Sequence, residues 1–290
     1  MDNKELERKV AVVTGSSTGI GYETSLLLSR NGFYTYATMR NLYKSKRLND
    51  IASKDNLPLK VLELDVTDDK SVKNAINQIK EEKKRIDVLV NNAGYDVFGA
   101  VEDLSTDEFK AQYETNVFGI IRVTKEVIPI MRNQRSGTIV NISSAGGRVG
   151  IPLNAAYVSS KFAVEGLSET MRYELQEYGI NVIIIEPGVI KSNFFENSKA
   201  AYNATNTESP YSQLMQKVSD GFKPMLESGS SSPSKVADVI LNAIMSNDPQ
   251  VRYLVGDDAV SLIEKRNKMS DKEFESWMKE SLLQQKGFIR

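Results

Sequence analysis

The 290-residue chain contains no histidine and no cysteine, and only one tryptophan. Without cysteine it has no disulfide, no thiolate nucleophile and no Cys-ligated zinc. Without histidine it loses the commonest zinc ligand, every histidine-based triad and the side chain that most readily exchanges protons near neutrality. No metal site is expected. Charge of one sign is not in excess either: 37 basic residues stand against 38 acidic ones. Whole-chain electrostatics therefore makes no case for nucleic acid or an anionic membrane. Long hydrophobic runs are missing too. The longest, VIIIEPGVI, falls far short of the roughly 20 apolar residues a membrane helix needs, and the charged opening MDNKELERKV does not resemble a secretory signal. The expectation is a cytoplasmic protein with no membrane span.

What is present is an alternation. Short β-branched runs (VAVVTG, YTYATM, KVLELDV, DVLVNNAG, GTIVNISS, NVIIIEPG and VRYLVG) alternate with polar, helix-favouring stretches. Near-continuous Val, Ile and Leu content fits strands buried on both faces, and helices between them imply right-handed crossovers in a parallel sheet. The expected fold is α/β: a doubly wound parallel sheet, the Rossmann arrangement, with helices on both faces, in a single domain covering residues 1–290. Residues 192–232 break the alternation: the segment is either a substrate lid or a disordered insertion, and Phe194, Phe195, Tyr202 and Tyr211 favour the lid. The tail, 258–290, repeats Phe274, Trp277, Met278 and Leu282 at helical spacing, as a helix packed on its own domain would.

In such sheets ligands bind beyond the carboxyl ends of the strands. The first strand runs there into Thr14-Gly15-Ser-Ser-Thr-Gly19-Ile20-Gly21, whose glycines permit a tight turn and close approach of a pyrophosphate to a helix N-terminus. At the end of the second strand, Met39 stands where an acid would bind the ribose hydroxyls of NAD, and Arg40 follows. An arginine there suits the 2′-phosphate of NADP(H), unless it is simply a solvated charge. Asp65 is placed either to meet the adenine amine or to cap the helix beginning near Asp68.

About one Tyr-x-x-x-Lys pair is expected by chance in a chain of this composition, so Tyr157 and Lys161 gain meaning only from their surroundings. Four residues apart, they share a helix face, and an ammonium near a phenol is expected to lower its pKa from about 10 towards a range useful for proton transfer. Ser144, at the end of the fifth strand, can donate to a substrate carbonyl oxygen, with Ser143 as its neighbouring competitor. The alternatives are a turn serine and a buried tyrosine.

Together with Asn91-Asn92-Ala93-Gly94 and Pro187-Gly188, these motifs make the chain resemble the short-chain dehydrogenase/reductases from about Lys9 to Gly256. The resemblance implies a Rossmann-fold oxidoreductase, with Asn116, Ser144, Tyr157 and Lys161 as catalytic residues. Asn116 would hold a water in a proton relay, and Lys161 would also bind the nicotinamide ribose. It further implies nucleotide contacts at Gly15, Ser17, Thr18, Gly19, Ile20, Gly21, Arg40, Asp65, Val66, Asn92, Ala93, Gly94, Tyr157, Lys161, Pro187, Gly188, Ile190 and Ser192. The cofactor expected is NADP(H) in preference to NAD(H). Within the family, the wording looks most like 17-beta-hydroxysteroid and retinol dehydrogenases and carbonyl reductases. The substrate implied is a small carbonyl compound or alcohol, compatible with an apolar skeleton, bordered by Tyr95, Phe98, Val149 and Leu153. A 3-oxoacyl-thioester reductase and a non-catalytic dinucleotide sensor or scaffold are the rival readings. A homodimer or homotetramer is the oligomer the resemblance favours.

Overall fold

The computed structural model describes residues 8–192, 198–205, 209–224 and 230–283. Seven parallel strands form one sheet: β1 (Val10–Val13), β2 (Tyr34–Met39), β3 (Leu59–Glu63), β4 (Val88–Asn91), β5 (Gly137–Ile142), β6 (Ile180–Pro187) and β7 (Arg252–Val255). Their spatial order is β3-β2-β1-β4-β5-β6-β7. Strand order reverses between β1 and β4, which opens a crevice at the carboxyl ends of that pair.

The helices are α1 (Gly19–Arg30), α2 (Lys46–Lys54), α3 (Asp69–Lys83), α4 (Thr106–Tyr113), α5 (Gly119–Gln134), α6 (Ala155–Leu175), α7 (Ser212–Pro224), α8 (Pro233–Met245), α9 (Asp257–Lys268) and α10 (Asp271–Leu283). Successive strand residues point to opposite sheet faces, which is why the strands read as unbroken apolar runs. Val10 and Val12 join Ile76, Val123, Val127 and Met171 of α3, α5 and α6 in one core. Ala11 and Val13 turn the other way, onto Leu28, Val236 and Ile240 of α1 and α8.

Local chemistry sets the helix ends. Asp68 caps α3 by accepting from the Ser71 amide at 2.9 Å. Ser105 and Glu108 form a reciprocal capping box on α4, and Ser232 caps α8 ahead of Pro233, so the first-turn amides find acceptors. In the tail, Phe274, Met278 and Leu282 bury against Ala145, Val149, Val189 and Leu262. That packing places α9 and α10 beneath the loops that follow β5 and β6. Among the described residues no helix is long and apolar enough to cross a membrane.

Candidate active site

The glycine loop is shaped by groups that reach across from β4. Thr14 Oγ1 accepts from the Asn92 and Ala93 amides, both at 3.0 Å. The Asn92 side-chain amide donates in turn to the Thr14 and Gly15 carbonyls at 2.9 and 3.2 Å. Gly15 has φ +68°, and a Cβ on it would lie 2.8 Å from Ala93 Cα. At Gly21 a Cβ would meet Asn92 Nδ2 at 2.4 Å and Gly15 O at 2.6 Å. Gly15 needs glycine for conformation and for space, and Gly21 for space. Thr18 at the start of α1 is extended, makes no side-chain cap, and is followed by no acidic residue in the first turn. The helix therefore presents a positive N-terminus suited to a phosphate.

Beside it lies a cleft of about 240 Å³ that includes Ser17, Thr18, Gly19 and Ser192. Arg47 and Lys191 also line it, with the Arg47 guanidinium 4.9 Å from the Tyr22 ring centroid. Neither basic residue stood out in the sequence. Arg47 comes from α2 and Lys191 from the loop after β6, and only the fold brings them to the glycine loop. Arg40 is exposed just beyond buried Met39. The Asp65 carboxylate accepts from the Thr67 amide and hydroxyl at 2.9 and 2.8 Å, so it ties its own turn while Asp68 caps the helix. Val66 is buried against Gly119. Gly188 lies close against Asp258, which accepts from the Val189 amide at 2.6 Å. Ile190 bridges to Ser231. This fixes the Pro187–Ser192 loop at the cleft's other wall.

Strand β5 and helix α6 bring Ser144, Tyr157 and Lys161 together. Ser144 Oγ accepts from the Gly146 amide at 3.0 Å and hydrogen-bonds the Tyr157 side chain. Ser143 Oγ, its competitor, is buried and meets no partner. Lys161 donates to the Ile142 carbonyl at 2.8 Å, and its ammonium lies 5.5 Å from the Tyr157 ring centroid.

The electrostatics correct one expectation. Burial pushes the Tyr157 phenol above its ordinary value; the Ser144 hydrogen bond opposes this and Asp96 reinforces it. Lys161 does not set the direction at the phenol; its ammonium is itself desolvated and donates to a backbone carbonyl. Burial brings Lys161 down to about 8, against the pull of Glu165 and Asp96. Both groups are thus pressed towards their neutral forms.

Asn116 sits in a π-helical turn, Glu114–Phe118, between α4 and α5. The widened turn lets its side chain reach sideways. Asn116 Nδ2 donates to the Tyr95 carbonyl at 3.0 Å and to Ser160 Oγ at 3.2 Å, while its Oδ1 accepts from the Tyr95 amide at 3.2 Å. It therefore locks the strand end after β4 to α6.

Asp96, the next residue along from Tyr95, is one that the sequence did not single out. It is 6 % exposed, its charge acts on both Tyr157 and Lys161, and burial raises its carboxyl to about 6. Above it, Val97–Phe98 pairs with Lys199–Ala200 in a two-stranded sheet. The Ser209 hydroxyl donates to Asp103 at 2.9 Å and the Tyr211 hydroxyl to Glu102 at 2.8 Å. Phe194 and Phe195 lie outside the described residues. Leu153 holds a left-handed φ of +64°, and its carbonyl accepts from the Gly99 amide at 2.7 Å. Val149, expected at the substrate, is instead packed in the core under the tail with Phe274.

Residues 9–203 match the family model described as short chain dehydrogenase. Oxidoreductase BOA17 of Botryotinia fuckeliana is 36% identical over 94% of this chain and 98% of its own. Human 17-beta-hydroxysteroid dehydrogenase type 1 is 32% identical over 90% of this chain and 81% of its own. Among solved structures, a short-chain dehydrogenase from Streptomyces avermitilis superposes with a TM-score of 0.80 at 30% identity, covering 96% of this chain and 98% of that one.

Proposed function

Because this chain belongs to the short-chain dehydrogenase family of NAD(P)-dependent oxidoreductases acting on CH–OH groups, we propose that it interconverts a ketone or aldehyde and its alcohol, with NADP(H) preferred and Tyr157 handling the proton. The observation that carries this reading is the meeting of Ser144, Tyr157 and Lys161 at the carboxyl edge of β5, next to the glycine loop.

The glycine loop fits a dinucleotide. Its helix N-terminus has no acid in the first turn, and Gly15 and Gly21 let the loop close tightly onto Asn92 and Ala93. Arg47 and Lys191 add positive charge at the same cleft. Gly15 to Gly21 would hold the pyrophosphate, Asn92 to Gly94 the adenosine portion, and Ile190 and Ser192 the carboxamide. Met39 and Arg40 favour the phosphorylated nucleotide over NAD(H). When bound, the nicotinamide supplies or accepts the hydride.

The chain's own side chains do the rest. The Ser144 hydroxyl accepts from the Gly146 amide and turns its proton to the Pro187 carbonyl at a long 3.4 Å; with substrate bound it would turn that proton to the substrate oxygen. Raised by burial, the Tyr157 phenol is protonated at neutral pH, as a donor to a developing alkoxide must be. Asn116 holds Tyr95 and α6 in register beneath it. Resemblance to 17-beta-hydroxysteroid dehydrogenase type 1 supports an apolar ketone or secondary alcohol as substrate.

A screen run in parallel with NADPH and NADH tests this reading. It would pair a steroid ketone, simple aryl ketones and a 3-oxoacyl thioester, and follow nicotinamide absorbance. Turnover of a free ketone with kcat/KM at least about tenfold higher for NADPH is expected. Turnover confined to the thioester would move the assignment to an acyl reductase, and none on any carbonyl would favour a dinucleotide sensor.

A further inference from the structure

Two cations meet at the glycine loop from opposite directions. Arg47 lies in the first turn of α2, and its chain neighbour Leu48 is buried with Tyr22, Leu26 and Met39 in one apolar cluster. That burial roots the arginine beside Met39, at the strand end that meets the ribose. Its guanidinium lies 4.9 Å from the Tyr22 ring centroid, one turn into α1 from Thr18, whose carbonyl accepts from the Tyr22 amide at 3.4 Å. Lys191 comes from the other wall. Its amide donates to the Ser231 carbonyl and the Ser231 amide to the Val189 carbonyl, both at 2.9 Å, so the backbone beneath it is fixed. Ser192 Cβ, on the next residue, is 3.6 Å from where a Cβ on Gly19 would stand, which sets Lys191 beside the second glycine of the loop.

Both side chains are exposed, and both line the cleft of about 240 Å³ that includes Ser17, Thr18, Gly19 and Ser192. Among the described residues neither enters a salt bridge, whereas Arg30 of α1 is paired with Asp55. Glu23 carries the only carboxylate on the lining, so positive charge remains in excess. A cleft smaller than the roughly 300 Å³ at which small-molecule pockets begin suits phosphate groups better than a nucleoside.

We propose that Arg47 binds the 2′-phosphate of NADP(H) and Lys191 the bridging pyrophosphate, so that Arg47 decides between the two nucleotides and Lys191 holds either one. The two attachments set this division. Arg47 is rooted on the ribose side next to Met39, and Lys191 stands by Gly19 and the helix N-terminus, where a pyrophosphate meets unbonded amides. A guanidinium also takes a phosphate through two parallel hydrogen bonds, which an ammonium cannot do. Arg40 does not line this cleft. The inference rests on the dinucleotide reading of the cleft and is independent of which carbonyl is reduced.

Calorimetric titration of the full-length protein, with no turnover involved, separates the two roles. Adenosine 2′,5′-bisphosphate and AMP differ only by the 2′-phosphate, and the wild type is expected to bind the first at least about tenfold more tightly. In Arg47→Ala that ratio falls to within about threefold while AMP affinity holds, and Arg47→Lys recovers part of it. In Lys191→Ala, NADPH and NADH weaken together by about five- to tenfold, and the bisphosphate-to-AMP ratio is unchanged. Because both side chains are exposed the variants should fold, and an unchanged Tm shows that they have. Equal wild-type affinity for the bisphosphate and AMP, a ratio that survives Arg47→Ala and is lost only in Arg40→Ala, or a Lys191→Ala effect confined to NADPH would overturn the proposal. Failure of the wild type to bind any of these nucleotides would overturn it together with the dinucleotide reading. The expected binding pattern with no carbonyl turned over would uphold it and remove the carbonyl–alcohol reading alone.

Discussion

The two sides of the cleft are held by different means. On the nucleotide side, Thr14 and Asn92 cross from strand edge to strand edge and fix backbone directly, and two glycines remove the side chains that would intrude. On the substrate side, the 96–108 wall meets residues 198–205 and 209–211 through a two-stranded patch and side-chain bonds, one of them at the surface. The first construction sets a shape before any ligand arrives. The second is anchored by a small buried cluster of Val97, Leu104, Ala156 and Ala201, and it can open at low cost only where exposed bonds such as Tyr211–Glu102 tie it. A dinucleotide has one shape to match, whereas an alcohol must enter and leave.

The largest effect belongs where the two sides meet. Tyr157→Phe removes the exchangeable proton while keeping the ring, so turnover should fall by about a thousandfold or more. NADPH affinity should stay within about threefold, because the glycine loop is untouched. Steady-state kinetics and a fluorescence titration read the two numbers. Activity within tenfold of wild type would take Tyr157 out of the proton path.

Next come the glycines, which contrast a crowded position in the nucleotide loop with an open one. Gly21→Ala forces a Cβ to within 2.4 Å of Asn92 Nδ2 and 2.6 Å of Gly15 O, where backbone cannot yield. It should cost about 2–3 kcal/mol, lowering Tm by several degrees and weakening NADPH binding. Gly150→Ala, at an exposed position, places a Cβ with nothing within 4 Å and should shift stability by no more than about 0.5 kcal/mol. Equal melting shifts in the two variants would mean that the close contacts at Gly21 yield without cost and that the glycine loop is not a preset shape.

Much of this contrast was legible in the sequence on one side and little on the other. The seven apolar runs, the glycine motif and the Tyr157–Lys161 spacing are local patterns, and local patterns carry the strand order's crevice and the helix-face neighbours. Asp96 was invisible because its burial comes from Ser198 and Lys199, about a hundred residues away. Arg47 and Lys191 reach the glycine loop only through tertiary packing. Four-residue spacing placed Lys161 near Tyr157. It could not show that the ammonium would turn to Ile142 O, nor that desolvation would outweigh its charge at the phenol. Val149 has the composition of a pocket wall, and the tail that covers it lies over a hundred residues downstream.

Asp96 offers a pH test of the substrate side. Its folded carboxyl titrates at about 6 against an ordinary 3.8, so the folded state binds the proton more tightly. The stabilisation from protonation is present below pH 3.8 and is lost as pH rises through 6. Asp96→Asn removes that loss. At pH 8 the variant should be more stable by about 3 kcal/mol, roughly 6 °C in Tm, and at pH 4 it should match the wild type to within about 1 kcal/mol. A variant less stable at pH 8 than the wild type would show that the carboxylate is matched by a partner in the folded protein.

The smallest effect is expected at the surface tether. The Tyr211 hydroxyl donates to Glu102 at 2.8 Å in an exposed setting, where solvent competes for both groups. Tyr211→Phe should leave Tm within about 1 °C of wild type. If the 198–211 segment opens to admit substrate, losing this bond should speed exchange and change KM by about two- to threefold, with NADPH affinity unaffected. Hydrogen exchange at residues 209–211 would report the loosening directly. A change in NADPH affinity as large as the change in KM would show that the tether acts on the whole cleft, and the division between a preset nucleotide side and an adjustable substrate side would not hold.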